Sequence, residues 1–102
     1  MTFEVVLTEQ AQEDAEEAYL WIAEREPEGA QQWWTGLVDA VMSLENLPLR
    51  CPIAPENQYF EEEIRMFLYG RRKSQFRILF TLDSQTVVVL HIRRSSRDVV
   101  QP

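Results

Sequence analysis

The stretch from residue 64 to residue 97 constrains the fold of this chain most, because it predicts three consecutive strands. Side chains on a strand alternate between its two faces, and in each predicted strand one of the faces is entirely apolar. The two connections, residues 70–74 and 83–85, are short and polar enough for antiparallel pairing. We therefore predict a sheet whose apolar face packs against the rest of the chain. That apolar face comprises Ile64, Met66 and Leu68, then Phe76, Ile78, Phe80 and Leu82, then Val88, Leu90 and Ile92.

The opposite face of the predicted sheet, together with its turns, carries most of the positive charge. Residues 65–102 hold eight Lys or Arg against two Asp, a formal charge of +6, whereas residues 1–64 hold fifteen acidic residues against two Arg, a formal charge of −13. A charge asymmetry of this size between the two halves of the chain indicates a functional surface on the basic half. Five side chains are expected to project together from that face, which we expect to be open: Arg65, Tyr69, Arg77, His91 and Arg93.

The residues before the predicted sheet indicate one strand and two helices. Alternating apolar residues at positions 3, 5 and 7 predict a short first strand. Thr8 then lies at the N-cap position of a helix from Glu9 to about Arg25. Pro27 ends that helix and is placed to begin a second one, from about residue 28 to residue 46. Because the break between them is so short, the two helices should fold back as an antiparallel hairpin.

Apolar residues recur at three- and four-residue spacing on both helices and predict the faces that are buried. The acidic residues Glu13, Asp14, Glu16 and Glu17 are assigned to a solvated side of the first helix. Residues 48–59 contain three prolines, so we expect an ordered loop without regular structure. The predicted buried faces consist of Ala11, Ala15, Ala18, Tyr19, Ile22 and Ala23 on the first helix and of Ala30, Trp34, Leu37, Val41 and Leu44 on the second.

These elements predict an α+β fold in one domain spanning residues 1–102, with an N-terminal strand and an antiparallel helical hairpin packed on a mainly antiparallel four-stranded sheet. Cys51 is the single cysteine, which excludes an internal disulfide and favours a packed, small apolar side chain. No apolar run approaches the roughly 18 residues of a membrane span, and no secretory signal is visible, so we expect a cytoplasmic protein. The net charge of −7 argues against a protein that coats nucleic acid non-specifically.

Three segments, in this order, resemble the RelE/ParE family of bacterial type II toxin–antitoxin toxins, which includes plasmid stabilisation proteins. They are the opening "VVLTEQAQEDAEEAYLWIAE", the proline-containing "LENLPLRCPIAPEN", and "EEIRMFLYGRRKSQFRILFTLDSQTVVVLHIRRSSRD", which is similar to the family's sheet. The resemblance covers nearly the whole chain and implies the same α+β fold. It also implies a cognate antitoxin that forms a hetero-oligomer with the toxin, and no cofactor, metal or membrane.

Two targets are known within the family, and the resemblance assigns residues to each. RelE-like members enter the ribosomal A site and cleave mRNA, whereas ParE-like members act on DNA gyrase. If this chain is a metal-independent endoribonuclease, Arg77 in "FRILF" and Arg93 match the family's basic catalytic positions. His91 and Tyr69 are then the weaker candidates for proton transfer. Binding of the target or the antitoxin is assigned to Arg65, Tyr69, Arg72, Lys73, Arg77, Arg93, Arg94 and Arg97.

The sequence near the C-terminus favours the gyrase target. Many nuclease members carry a Tyr or His there, and the residues after Arg93 include neither. The long helical hairpin also resembles that of ParE-like members. We therefore expect a toxin that arrests growth by inhibiting gyrase. Ribosome-dependent mRNA cleavage is one alternative, and an inactive family member that only binds its antitoxin is another.

Residues with a functional assignment also have a purely structural interpretation. Arg77 and Arg93 can pair with carboxylates across the sheet or from the loop, and His91 can be a partly buried strand residue. Trp33 and Trp34 cannot both face the seam of the hairpin. One is expected in the core, and the other at the edge of the sheet or against a partner.

Overall fold

Four strands form one mixed sheet with the two helices on one of its faces. The computed structural model describes residues 2–71 and 74–95. The strands are β1 (Glu4–Leu7), β2 (Arg65–Tyr69), β3 (Phe76–Asp83) and β4 (Thr86–Arg94), and their order in the sheet is β1-β4-β3-β2. β1 pairs in parallel with β4, and the other two pairs are antiparallel. A parallel pair needs a long crossover connection, which the helices and the long loop supply. The predicted α+β fold is confirmed.

The two helices are α1 (Glu9–Arg25) and α2 (Ala30–Met42). Thr8 caps α1 as predicted, because its hydroxyl oxygen accepts a hydrogen bond of 3.1 Å from the N–H of Ala11. The prediction that Pro27 begins α2 was wrong. Pro27 lies in a turn of residues 27–29, since reversing the chain between two antiparallel helices takes those residues, and α2 begins after Gly29. No helix within residues 2–71 and 74–95 is long and apolar enough to span a membrane.

The proline-rich loop is more regular than predicted. It contains two short 3₁₀ helices, Pro48–Arg50 and Pro55–Tyr59, and a third one, Ser43–Glu45, directly continues α2. In both loop helices a proline stands at the first position, where its missing N–H leaves no hydrogen bond unmade. The prolines therefore begin short helical turns as well as preventing long ones.

The main core lies between the helical hairpin and one face of the sheet. A second, smaller core lies on the other face, where the loop packs against Ile64 and Leu79. The prediction of an open sheet face was therefore wrong, because residues 51–64 cover its middle. Cys51 is buried as predicted. The buried residues of the main core are Ala11, Ala15, Ala18, Ile22, Ala30, Leu37, Val41, Leu44, Cys51, Phe76, Ile78, Phe80, Val87, Val89 and Ile92, and those of the smaller core are Ala54, Ile64 and Leu79.

The face assignment was correct for β3 and wrong for β2. Phe67 and Tyr69 pack against the main core, whereas Met66 packs against the smaller core. Both faces of β2 carry large apolar side chains, so an apolar face alone could not tell the helical side from the loop side. Trp33 packs on Tyr69 with ring centroids 5.7 Å apart. It thereby covers the edge strand, as expected for one of the two tryptophans.

A bulge in β4 explains why its predicted face was only partly right. Leu79 pairs with His91 and Phe80 pairs with Val89, which leaves Leu90 as an extra residue. A bulge shifts the alternation by one residue. Residues 87 and 89 before the bulge and Ile92 after it therefore lie on the same side, and Leu90 packs in the smaller core.

Candidate functional site

The strand arginine of β3 is buried in an ion pair with a carboxylate from the loop. Arg77 Nη1 donates to both oxygens of Glu56, at 2.8 and 2.7 Å. The Arg77 side chain is 8% exposed and that of Glu56 is fully buried. Glu56 reaches this position because it lies in the first turn of the 3₁₀ helix Pro55–Tyr59, over the smaller core. The structural interpretation of Arg77, pairing with a carboxylate from the loop, is thus confirmed.

Arg93 lies directly opposite Arg77 in the β3–β4 ladder. Directly opposed side chains on one face lie roughly 5 Å apart at their Cβ atoms. Arg77 Nη2 and Arg93 Nε are buried nitrogens without a hydrogen-bond partner in the part of the chain that the structure describes. Two neighbouring guanidinium groups with unused N–H donors can bind an oxyanion such as a phosphate or a carboxylate. Arg77 and Arg93 are the two assigned residues that the structure brings together.

The assigned histidine lies where α1 meets the edge of β4. His91 Nδ1 is 3.6 Å from Asp14 Oδ2, which is beyond hydrogen-bond distance. Asp14 Oδ2 accepts a hydrogen bond from the N–H of Ile92 at 3.0 Å, and Gln10 donates to Oδ1 at 2.9 Å. The expectation that Asp14 is solvated was wrong, because β1 ends at Leu7 and leaves the edge of β4 in need of another acceptor.

The charge state of Asp14 follows from these contacts. Burial acts to raise the pKa of Asp14, but the nearby His91 ring, the hydrogen bonds from Ile92 and Gln10, and the charge of Arg93 outweigh burial and lower the pKa below its ordinary value. Asp14 is therefore an ionised, buried group that fastens α1 to β4. His91 is partly buried beside it, as the structural interpretation of this residue expected.

Tyr69 lies on the helical side of the sheet, away from Arg77. Its hydroxyl donates a hydrogen bond of 2.8 Å to the carbonyl oxygen of Trp33. Burial raises the pKa of Tyr69, and the negative charge of Asp39 adds to that effect. Gly36 leaves the space for the Tyr69 hydroxyl, because a Cβ atom at position 36 would overlap it. The structure therefore gives Tyr69 a packing role on the face opposite Arg77.

The remaining assigned basic residues are scattered. Arg65 donates to the carbonyl oxygen of Cys51 at 2.6 Å and pairs with Glu63 at 2.8 Å, so it fastens β2 to the loop. Arg94 lies on the helical side, 4.6 Å above the ring of Trp21. The predicted common surface of basic residues is therefore not formed as expected. Arg72, Lys73 and Arg97 lie outside the described residues.

A family model described as the ParE toxin of the parDE type II toxin–antitoxin system matches residues 5–99. The chain belongs to the ParE toxin family. No curated protein matches the sequence. As a member of this family, the chain is a ParE/RelE-type toxin of a type II toxin–antitoxin system.

Two solved structures have the same fold as this ParE-family toxin. One is the chromosomal ParDE toxin–antitoxin system from P. aeruginosa, with a TM-score of 0.71 and 19% identity over 91% of this chain and 96% of that chain. The other is the RelBE2 toxin–antitoxin complex from Mycobacterium tuberculosis, with a TM-score of 0.58 and 21% identity over 92% of this chain and 99% of that chain. Both ParE-type and RelE-type systems are thus among the structural neighbours, so the fold leaves the target open.

Three residues that shape the site of this ParE-family toxin were not assigned from the sequence. Pro55 begins a 3₁₀ helix, so Glu56, the residue after it, lies in the first turn of that helix. Asp14 lies three residues after Ala11 and four before Ala18, which is the spacing of the buried face. Trp21 is contacted by Arg25, four residues later, at 4.0 Å. The three- and four-residue spacing of a helix could therefore have identified Asp14 and Trp21 from the sequence.

Proposed function

We propose that this ParE-family toxin arrests growth by inhibiting DNA gyrase, without cleaving RNA, and that a cognate antitoxin neutralises it in a hetero-oligomer. The observation that carries the choice of target is the buried ion pair between Arg77 and Glu56. It occupies the basic position that an RNA-cleaving member would use for the reacting phosphate.

Cleavage of RNA without a metal needs positive charge where the phosphorane forms. In this chain the charge of Arg77 is already offset by a carboxylate 2.7 Å away, in a site that excludes water. Separating a buried pair of this kind costs about 3–5 kcal/mol. Freeing the full charge of Arg77 for a phosphorane would require breaking this pair, so the pair opposes a catalytic role.

The candidates for proton transfer are also poorly placed for RNA cleavage. Tyr69 donates its hydroxyl to the Trp33 carbonyl on the face opposite Arg77. His91 is held beside Asp14 at the edge of β4, with 21% of its side chain exposed. A general acid or base must reach the proton that it transfers. Tyr69 is on the wrong face of the sheet for that purpose, and the Nδ1 atom of His91 lies beside the Asp14 carboxylate.

One observation favours the alternative, a ribosome-dependent endoribonuclease. Arg77 Nη2 and Arg93 Nε are buried donors without partners within the described part of the chain. Buried polar groups are nearly always hydrogen-bonded, so these two donors suit an oxyanion that arrives with a substrate. A phosphate could use them while Glu56 remains bound to Nη1.

Controlled expression without antitoxin, followed by two assays, tests the proposal. The purified toxin is added to gyrase supercoiling reactions and, separately, to translating ribosomes whose mRNA is then examined for cleavage. Inhibition of supercoiling without cleavage supports the proposal. Cleavage of mRNA overturns it in favour of the endoribonuclease, and normal growth on expression overturns it in favour of a binding module for the antitoxin.

A further inference from the structure

The outer edge of β2 is only half covered by the rest of the chain. β2 is the last strand in the order of the sheet, so β3 is its neighbour on one side only. On the other side Met66 donates a hydrogen bond of 3.0 Å to the carbonyl oxygen of Pro52. Ile53 lies opposite Arg65 in an isolated antiparallel bridge. Pro52 has no N–H with which to continue that ladder, so residues 67–69 keep an open edge.

Two residues at this edge have backbone groups without a hydrogen-bond partner within residues 2–71 and 74–95. The N–H and C=O of one residue in an antiparallel ladder point to the same side. Because the Met66 N–H faces outward, the N–H and C=O of Leu68, two residues later, also face outward. Ile53 turns its own N–H and C=O away from β2, since Pro52 and Ala54 make the bonds to β2. Unpaired strand edges of this kind are sites where a further segment can add.

A hollow of about 400 Å³ lies beside the open half of the edge. Leu68 and Ile53, which flank it on β2 and on the loop, are 46% and 43% exposed. Exposed apolar side chains that lie close together mark an interaction site, whereas single ones are ordinary. The lining residues of the hollow are Arg50, Cys51 and Pro52 of the loop and Met66, Phe67 and Leu68 of β2.

The charges at the two ends of β2 select the occupant of this edge. Residues 61–63 are all Glu, and residues 71–73 are Arg, Arg and Lys. Both runs are equally far from Phe67 along the chain. A second β2 that runs antiparallel, with its Phe67 level with the first, therefore places Glu63 of each copy level with Arg71 of the other. Both residues are exposed, so opposite charges meet at both ends even though each copy carries a net charge of −7.

The same two-fold arrangement brings the unpaired backbone groups together. Ile53 is level with Arg65 of its own β2 and therefore with Tyr69 of the second copy, because positions 65 and 69 are equally far from Phe67. The Ile53 segment is antiparallel to its own β2, so it is parallel to the β2 of the second copy. In a parallel ladder an N–H bonds to the residue before the one level with it. The N–H of Ile53 thus meets the carbonyl oxygen of Leu68 in the second copy.

We propose that two copies of this chain associate through the open edge of β2, and that each copy inserts its Ile53 segment into the hollow of the other. The two-fold axis passes beside Phe67, and both copies use the same surface. Each β2 thereby gains the neighbour that its own loop supplies along only half of its length. This contact is separate from the Arg77–Glu56 pair, so it does not depend on whether gyrase or the ribosome is the target.

Sedimentation equilibrium of the full-length chain, purified without antitoxin, tests the proposal. Concentrations up to about 0.5 mM are needed, because an interface this short belongs to the weak class. We expect a monomer–dimer equilibrium. Arg71→Glu should raise the dissociation constant of the dimer roughly tenfold, because it turns two attractive charge pairs into repulsive ones. Arg25→Glu makes the same change of charge at an exposed residue of the helical hairpin and should change that constant less than about twofold.

A mixing experiment tests the antiparallel arrangement of the two strands. Glu63→Lys should weaken self-association as Arg71→Glu does. An equimolar mixture of the two variants again has opposite charges at both ends and should bring the dissociation constant to within about threefold of the wild type.

A second pair of variants tests the edge itself and keeps the test decisive if one charge variant folds poorly. Leu68→Glu places a charge beside the hollow, and Leu20→Glu places the same charge on the helical hairpin, at a residue that is 64% exposed. Leu68→Glu should abolish the dimer at concentrations where Leu20→Glu leaves it intact. Circular dichroism of each purified chain checks its folding.

Three outcomes overturn the proposal. A wild type that stays monomeric at the highest concentration excludes the contact. A dimer that Arg71→Glu and Leu68→Glu weaken no more than their controls do, or that the mixture of charge variants does not restore, uses another surface or another arrangement. If the wild type is monomeric and Leu68→Glu instead weakens its complex with the cognate antitoxin, a segment of that partner occupies the edge.

Discussion

Arg77 Nη1 lies within 2.8 Å of both carboxylate oxygens of Glu56, and the two residues are held there by different layers of the fold. Arg77 is fixed by the central strand β3, whereas Glu56 is fixed by a 3₁₀ helix in the loop. The pair thereby ties the loop to the sheet. Its burial makes the loop part of the core, and it gives the buried charge of Arg77 a carboxylate partner inside the protein.

Glu56→Gln is expected to destabilise the folded protein by about 3–5 kcal/mol, because it leaves the Arg77 charge buried opposite a neutral amide. Urea unfolding at neutral pH measures this loss. Glu63→Gln is the matched control, since Glu63 pairs with Arg65 at 2.8 Å but is 56% exposed, and such surface pairs contribute about 0–1 kcal/mol. Equal losses in the two variants would show that burial of the Glu56 pair has no energetic consequence.

Asp14→Asn is expected to reduce the sensitivity of the fold to acid. The pKa of Asp14 is lower in the folded protein than its ordinary value, so the ionised form stabilises the fold above the ordinary carboxyl pKa of about 4. That contribution is lost as the pH falls through the lower folded-state pKa. The asparagine variant lacks this loss, and its unfolding free energy declines less steeply below about pH 4.

The measurement for Asp14 is urea unfolding across a series of pH values, with Glu13→Gln as the control. Glu13 lies on the same helix but is exposed, so its substitution should leave the shape of the pH profile unchanged. If the unfolding free energy of Asp14→Asn declines below about pH 4 as steeply as that of the wild type, the acid sensitivity belongs to other carboxylates.

Gly36→Ala is expected to destabilise the protein by about 1–3 kcal/mol, the usual cost of an added methyl group in a filled site. The new Cβ would overlap the Tyr69 hydroxyl, which donates to the carbonyl oxygen of Trp33. Tyr69→Phe removes that hydroxyl. The double variant should therefore recover part of the stability lost in Gly36→Ala, and a double-variant cycle in thermal unfolding checks this coupling. Additive losses would mean that the overlap is relieved in another way.

Elements defined by local sequence were predicted well, and contacts set by distant segments were not. The buried face of α1 and the Thr8 cap follow from the spacing of residues within a few positions, and both are confirmed. The bulge at Leu90 depends on how β4 pairs with β3, which alternation along a single strand does not reveal. β2 carries Phe67 and Tyr69 on one face and Met66 and Leu68 on the other, so its orientation was fixed only by which layer covers each face.

The candidate site likewise has features that the sequence predicted and features that depend on distant segments. Pairing of Arg77 with a carboxylate, across the sheet or from the loop, was the structural interpretation of this residue in the sequence. The identity of the carboxylate was not foreseen, because Glu56 lies 21 residues away and depends on the path of the loop. Asp14 was misplaced because the unpaired edge of β4 beyond Leu7 follows from the pairing of β1 with β4, which the sequence of α1 does not show.

The double variant Arg77→Met, Glu56→Gln is expected to retain growth arrest, because the proposed gyrase inhibition does not use the Arg77 guanidinium group. Replacing both members of a buried ion pair by neutral residues is often close to neutral for stability, whereas Arg77→Met alone removes two hydrogen bonds from the buried Glu56 carboxylate. Growth after induction is compared for the wild type, the double variant and Arg77→Met, with circular dichroism of each purified chain as the check on folding. A double variant that is folded and no longer arrests growth would contradict this expectation and show that the toxic activity requires Arg77, Glu56 or both.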